Sequence, residues 1–189
     1  MKIKLSHLVS IRTGLFAKTI VEGEVAFLQS KDFDENGLLN ITLEPELKAD
    51  KNTEKHLLKP GDVLFASKGT KNFAAVYENK NISAVASTSF FVIRIKEDYK
   101  NKILPEYLSW FMNQPISQRF LQGNAIGTSM VSIPKSVLGE LEIFIPGIEK
   151  QKAILEINNL HYKEKNIKKQ IDSLIDQKIQ KQIFNSIKL

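Results

Sequence analysis

Isoleucine and leucine recur every three or four positions from Ile148 to the end of the chain, with no proline or glycine among them. That is the period of one face of an α-helix. At about 1.5 Å per residue the stretch predicts a rod of about 60 Å. A stripe of that length cannot be buried against one small domain, so it requires a partner helix, from this chain or from another molecule. Leu160, Ile167, Ile171 and Leu174 keep heptad spacing. Ile175, Ile179, Ile183 and Ile187 step by four and drift around the helix, which departs from a strict two-stranded seam.

Upstream, the apolar runs are short and punctuated by turn residues. Ser6 is predicted to cap a helix through Ile11 that stops at Gly14, with Phe16 to Glu24 as loop. Val25 to Gln29 reads as a strand, and Asn36-Gly37 as a turn before Leu38 to Leu43. Residues 44–56 are polar and read as an exposed connection. Lys59-Pro60-Gly61-Asp62 has the chemistry of a tight turn, Val63 to Ala66 of a buried strand, and Phe73 to Tyr77 of its return. Ile82 to Ala86 and Ser89 to Ile95 are further strands, the second apolar on both faces and therefore central.

Pro105 opens a helix with Leu104, Leu108, Phe111 and Met112 on one side. Pro115 breaks it and starts another, with Ile116, Phe120 and Leu121 as its apolar face and Gly123 as its end. Trp110 reads as core. A brief helix through Leu138 and a strand from Leu141 to Ile145 then lead to Pro146-Gly147. The pattern predicts an α+β domain over residues 1–147, with a mixed, barrel-like sheet and short helices, followed by one long helix over 148–189.

Charge and composition narrow the classes. Across 189 residues the formal net charge is +6, and the helical stretch from Ile148 holds nine lysines against five acids, net +4. A basic excess suits phosphate, although a lysine-rich helix is equally a solvated one. The chain has no cysteine, which removes disulfides and thiolate zinc sites. His7, His56 and His161 stand apart, so a histidine-rich metal site is not expected. No apolar run reaches membrane-spanning length, and a cytoplasmic location is expected.

Two loops carry suggestive chemistry. Ser67 to Asn72 combines two cations, hydroxyls, an amide and Gly69, a mixture suited to phosphates and base edges or to an ordinary exposed hairpin. Gln122 to Ser132 holds two glycines and the group Gly127-Thr128-Ser129, which suits phosphate binding, base reading or a plain connector. A phosphate-binding P-loop and a dinucleotide-binding glycine motif are both missing. No nucleophile elbow occurs either. Catalysis has no visible home in the sequence.

The order of motifs resembles one repeat of the DNA-specificity subunit of type I restriction-modification systems. The similarity runs through Leu5 to Gly14, then Leu58-Lys59-Pro60-Gly61-Asp62-Val63-Leu64, then Ala86-Ser87-Thr88-Ser89-Phe90-Phe91-Val92-Ile93-Arg94. It continues in Pro105-Glu106-Tyr107-Leu108 and the Gly127-Thr128 loop, and ends in Ile143 to Ile154. The common Pro-Pro-Leu-x-Glu-Gln signature appears here as Ile145-Pro146-Gly147-Ile148-Glu149-Lys150-Gln151.

The resemblance implies a target recognition domain followed by a spacer helix. The usual subunit has two such repeats and this chain one, so it implies a homodimer paired through Leu160, Ile167, Ile171, Leu174, Ile175, Ile179 and Ile183. Two identical readers favour a bipartite palindromic site in double-stranded DNA. Lys68, Thr70, Lys71, Asn72, Thr128 and Ser129 are the candidate base readers, and Arg12, Lys18, Lys31 and Arg119 the candidate phosphate contacts. By the same resemblance the chain is non-catalytic and carries no metal or cofactor. S-adenosylmethionine, ATP and magnesium are expected on separate methyltransferase and restriction subunits. Two other readings stand beside it: a self-contained DNA-processing enzyme such as a nuclease, and a helix-mediated assembly protein that binds no DNA.

Overall fold

The computed structural model describes residues 2–187 apart from 35–36, 40–42, 70–71, 79–81 and 128–130. The chain divides into two compact units, Met1–Gln151 and Lys152–Leu189.

The first unit is built on three sheets. Strand β1 (Lys2–Lys4) pairs antiparallel with β9 (Glu142–Phe144). Between β1 and β2 (Val9–Thr13) lies only one helical turn, α1 (Leu5–Leu8). This corrects the expected helix from Ser6 to Ile11. The N-cap position is Lys4, without a side-chain cap, and Val9 to Thr13 instead pair residue for residue with β8 (Phe90–Ile95). Pairing satisfies the backbone groups of this edge strand that face β8, which an uncapped turn cannot match.

The four-stranded sheet runs β2-β8-β5-β6, all antiparallel, with β5 at Val63–Ala66 and β6 at Ala74–Val76. All four residues of β5 are buried, as expected of a strand covered on both faces. The three-stranded sheet runs β4-β3-β7 (Pro45–Leu47, Val25–Leu28, Ala84–Ala86), with β3 and β7 parallel. Between these sheets sits a core that includes Leu28, Leu64, Ala66, Ala86, Phe90 and Val92. Phe33, Phe73 and Phe90 close it with tilted and edge-on ring contacts at 5.5–6.0 Å.

Helix α3 (Pro105–Met112) packs on β5 and β6, burying Tyr107, Leu108 and Met112. Trp110 is half-buried against the Tyr107 ring, at 5.5 Å. Helix α4 (Pro115–Gly123) starts at its proline as expected, but Leu121 is the one residue of its predicted apolar face that is buried; Ile116 is 66% exposed and Phe120 38%.

The expected exposed connection over residues 44–56 is also corrected. It contains β4 and helix α2 (Lys51–His56), whose N-cap Asp50 accepts hydrogen bonds from Asn52 N at 2.9 Å and Thr53 N at 2.7 Å. Polar composition hid a capped helix. The Gly37 turn is present, with φ +77° and its N–H on the Asp34 carbonyl. Asn36 and residues 40–42 lie outside the described residues. Helix α5 (Lys135–Glu140) precedes β9.

Helix α6 (Ile148–Ile187) is continuous over 40 residues, about 60 Å. Its first turn belongs to the first unit. Beyond it, Leu160, Ile167, Ile171, Leu174, Ile175, Ile179 and Ile183 are each 46–63% exposed. No helix of the described residues is long and apolar enough to cross a membrane.

Candidate nucleic-acid interface

One end of the four-stranded sheet gathers the loops. Register places Thr13 opposite Phe91, Ala66 opposite Phe90 and Phe65 opposite Ala74. The segments 14–24, 67–73 and 87–89 therefore all leave from the same end. Strand β3 ends there too, because the Leu28 carbonyl accepts the Ser87 N–H at 2.8 Å.

A cluster of serines holds the segments together. Ser67 donates its N–H to the Ser89 carbonyl at 2.9 Å and its hydroxyl to the same oxygen at 3.3 Å. The Ser87 and Ser89 hydroxyls are 2.6 Å apart. On the other side, Leu15 N–H bonds to the Ala86 carbonyl and Gly14 N–H to the Phe90 carbonyl. A Cβ on Gly14 would lie 2.1 Å from the Ser87 carbonyl oxygen, so the close approach admits only glycine.

The two loops singled out in the sequence are neighbours. Ile133 N–H bonds to the Ser67 carbonyl at 2.8 Å and Gly69 N–H to the Val131 carbonyl at 3.2 Å. Lys68 is bridged to Ser132, and Ser132 pairs in both directions with Ile126. Gly69 and Gly127 both take left-handed φ, +108° and +102°. Residues 55 or more positions apart thus meet at one edge.

The candidate residues divide accordingly. Lys68 is exposed at the centre of this edge. Asn72 commits one amide hydrogen to the Ala66 carbonyl at 2.9 Å, bracing its own loop. Thr70, Lys71, Thr128 and Ser129 lie outside the described residues. Lys18 is exposed on the 14–24 segment, and Lys31 on the 3-10 turn Ser30–Asp32 that follows β3. Arg119 is exposed on α4, which connects Asn113, bonded to Ala74, with the 124–133 segment. None of Lys18, Lys31, Lys68 and Arg119 is paired with an acid among the described residues. Arg12 is turned aside: its Nη1 reaches the Lys55 carbonyl at the end of α2, at 3.3 Å. The edge and the segments around it therefore carry exposed cations with no acid partner among the described residues, the groups that contact phosphate.

Sequence reading missed the residues that hold this edge. Ser67, Ser87 and Ser89 are ordinary serines until pairing brings them together. Asn113 was equally hidden: its Oδ1 accepts Ala74 N–H at 2.7 Å and its Nδ2 donates to the Ala74 carbonyl at 2.8 Å. Its place between a helix and Gln114-Pro115 was the available signal. Beneath the edge, Arg94 holds Asp62 at the foot of β5, and the same contact raises the Arg94 pKa above its ordinary value. No group of three or more His, Cys, Asp or Glu side chains among the described residues is placed to hold a metal.

Residues 8–177, spanning the loop edge and most of α6, match the family model described as type I restriction modification DNA specificity domain. The chain belongs to this family. Solved type I specificity subunits share the fold. The S subunit from M. genitalium is 15% identical with a TM-score of 0.57, over 85% of this chain and 38% of that one. The HsdS subunit from Thermoanaerobacter tengcongensis is 16% identical with a TM-score of 0.58, over 87% of this chain and 37% of that one. A chain from a structure of type I restriction-modification complex assembly and conformational transition is 16% identical with a TM-score of 0.61, over 87% and 38%. This specificity-domain chain thus spans 37–38% of the length of these three chains. No curated protein matches it in sequence.

Proposed function

We propose that the chain is the DNA-reading component of a type I restriction-modification complex and works as a homodimer. The observation that carries this reading is the joining of the 67–69 and 124–133 segments into one edge, with exposed cations on the segments around it that have no acid partner among the described residues. In a chain of this family, such an edge suits a duplex. Lys18, Lys31 and Arg119 engage phosphates, with Arg12 at the margin, and Lys68, Thr70, Lys71, Asn72, Thr128 and Ser129 read bases, the Lys68 ammonium also reaching the phosphate backbone.

The exposed isoleucine and leucine stripe of α6 supports pairing with a second copy, because apolar side chains repeated over 40 residues gain by leaving water together. A two-fold dimer presents the same edge twice, which selects a palindromic site in two halves separated by unread base pairs. The chain acts without a catalytic group, metal or cofactor of its own. Methyl transfer and cleavage belong to partner methyltransferase and restriction subunits bearing S-adenosylmethionine, ATP and magnesium.

Selection from random duplexes, with partner subunits present, tests the reading. Enrichment of a two-part palindrome is the expected result. No enriched site would favour a pure assembly role for the helix. Nicking or methylation of plasmid by the purified chain alone would make it an enzyme.

A further inference from the structure

Lys68, Ser132 and Ile126 stand in one cross-strand row. Lys68 is bridged antiparallel to Ser132, and Ser132 to Ile126, with Ile126 N–H on the Ser132 carbonyl at 2.9 Å and Ser132 N–H on the Ile126 carbonyl at 2.8 Å. Residues directly opposite one another in antiparallel pairing point their side chains to the same face. Alternation along the strands decides which face that is. Ser67 and Ile133, each one position off the row, are 1% and 0% exposed, so their side chains turn inward. Lys68 and Ile126 are exposed and Ser132 is half-buried, so the row itself faces out.

A cation, a hydroxyl and an apolar side chain therefore stand side by side. Neighbouring strands are about 4.8 Å apart, which makes the row about 10 Å from end to end. Base pairs rise by about 3.4 Å each, and the major groove is about 12 Å wide. A row of this length spans about three base steps and fits the groove. Ile126 is 62% exposed, and its backbone N–H and carbonyl are both taken by Ser132. It can meet a base edge only through apolar contact. In the major groove the apolar group that a base pair presents is the thymine C5-methyl.

We propose that Ile126 is a specificity-determining residue that recognises the C5-methyl of a thymine in each half-site, in the same row in which Lys68 and Ser132 meet polar base edges. The inference rests on the DNA-reading function proposed above and deepens it. Lys68 donates to an acceptor such as guanine O6 or N7, and the Ser132 hydroxyl donates or accepts. The order of the row puts the Ser132 contact between the other two. Ile126 adds discrimination that a hydrogen bond cannot, because thymine and uracil differ in the methyl alone.

The probe is the duplex recovered by selection with partner subunits present, remade with deoxyuridine in place of one thymine at a time in one half-site. Uracil keeps every hydrogen-bonding group of thymine and lacks only the methyl. The wild-type complex should prefer thymine over uracil at one position by about fourfold, the worth of one apolar carbon leaving water. In the same complex Ile126→Ala should bind the two duplexes equally, and Ile126→Val should keep most of the preference. A smaller folded fraction scales binding to both duplexes alike and leaves their ratio intact. A recovered site at which no thymine is preferred over uracil overturns the contact. So does an Ile126→Ala complex that keeps the wild-type ratio, whether or not its affinity falls, since the isoleucine then serves folding or another partner. If the wild-type complex enriches no site, the DNA-reading function fails and the contact with it, a result distinct from a recovered site whose thymine methyls go unread.

Discussion

Arg94 grips Asp62 with two parallel hydrogen bonds, Nε to Oδ1 at 2.6 Å and Nη2 to Oδ2 at 2.5 Å. The carboxylate is 1% exposed and also accepts Lys59 N–H at 2.8 Å, so the same side chain closes the Lys59–Asp62 turn and anchors β8 to β5. Removing the arginine leaves a buried carboxylate with only a backbone partner. Arg94→Ala is expected to cost about 3–5 kcal/mol, the usual penalty for breaking rather than replacing a buried pair. Chemical denaturation measures it, and a loss below about 1 kcal/mol would mean that water reaches Asp62 in the folded state.

Asn113 predicts a second stability effect. Its amide mimics a neighbouring strand by pairing with both backbone groups of the buried Ala74 on the edge strand β6. Asn113→Ala should cost about 1–3 kcal/mol, because the Ala74 N–H and carbonyl lose their partners together. Amide exchange at Ala74 should accelerate in step with the denaturation midpoint; a protected Ala74 amide in the variant would refute the role.

Asp50 predicts a pH dependence. Backbone and side-chain hydrogen bonds from Thr53, with a smaller contribution from Asn52, hold its carboxyl below the ordinary value of 3.8. A carboxyl whose folded pKa is depressed contributes stability that is present above its unfolded value and lost as the pH falls through the folded one. The start of α2 should therefore fray only under strongly acid conditions. NMR titration of Asp50 together with amide exchange at Asn52 and Thr53 checks this. A carboxyl titrating at or above 3.8 would show that the cap does not form.

The exposed stripe of α6 predicts the oligomeric state. Ile171→Asp with Leu174→Asp should convert dimers to monomers in sedimentation while the first unit keeps its near-ultraviolet signature, since those side chains are half or more exposed in the single chain. A dimer that survives the double change would place the seam elsewhere on the helix.

Lys68 and Asn72 should behave differently although they share a loop. Lys68→Ala is expected to weaken binding to every sequence and to reduce the slope of log affinity against log salt by about 1. Asn72→Ala removes a brace to Ala66 and should loosen the loop without changing that slope. If Lys68→Ala leaves both affinity and slope untouched, the loop edge does not meet DNA.

Local chemistry made part of this fold legible. Proline set the starts of α3 and α4, the Lys59–Asp62 turn and buried β5 followed from Pro-Gly and an unbroken apolar run, and the 3.6-residue period gave α6 from Ile148 through the last described residue. The failures were equally physical. Residues 9–13 carry too short a pattern to separate helix from strand, and α2 has no apolar stripe to betray it, so its cap at Asp50 was the only sign. The candidate interface was legible as two separate loops. Their union depends on Ser67, Gly69 and Lys68 meeting Ile133, Val131 and Ser132 across more than 60 intervening residues, and no local pattern encodes such pairing.

By itself, then, the sequence determined what most segments become and that the last helix carries a long apolar stripe, because periodicity, proline and glycine act within a few residues. Only the tertiary structure decided which polar groups stand together: the serines that join the loops, the amide of Asn113 on a strand edge, and the amide of Gln151 at the root of α6. Hydrogen bonds are short and directional, so their partners are known only once the backbone has brought distant residues within 3 Å.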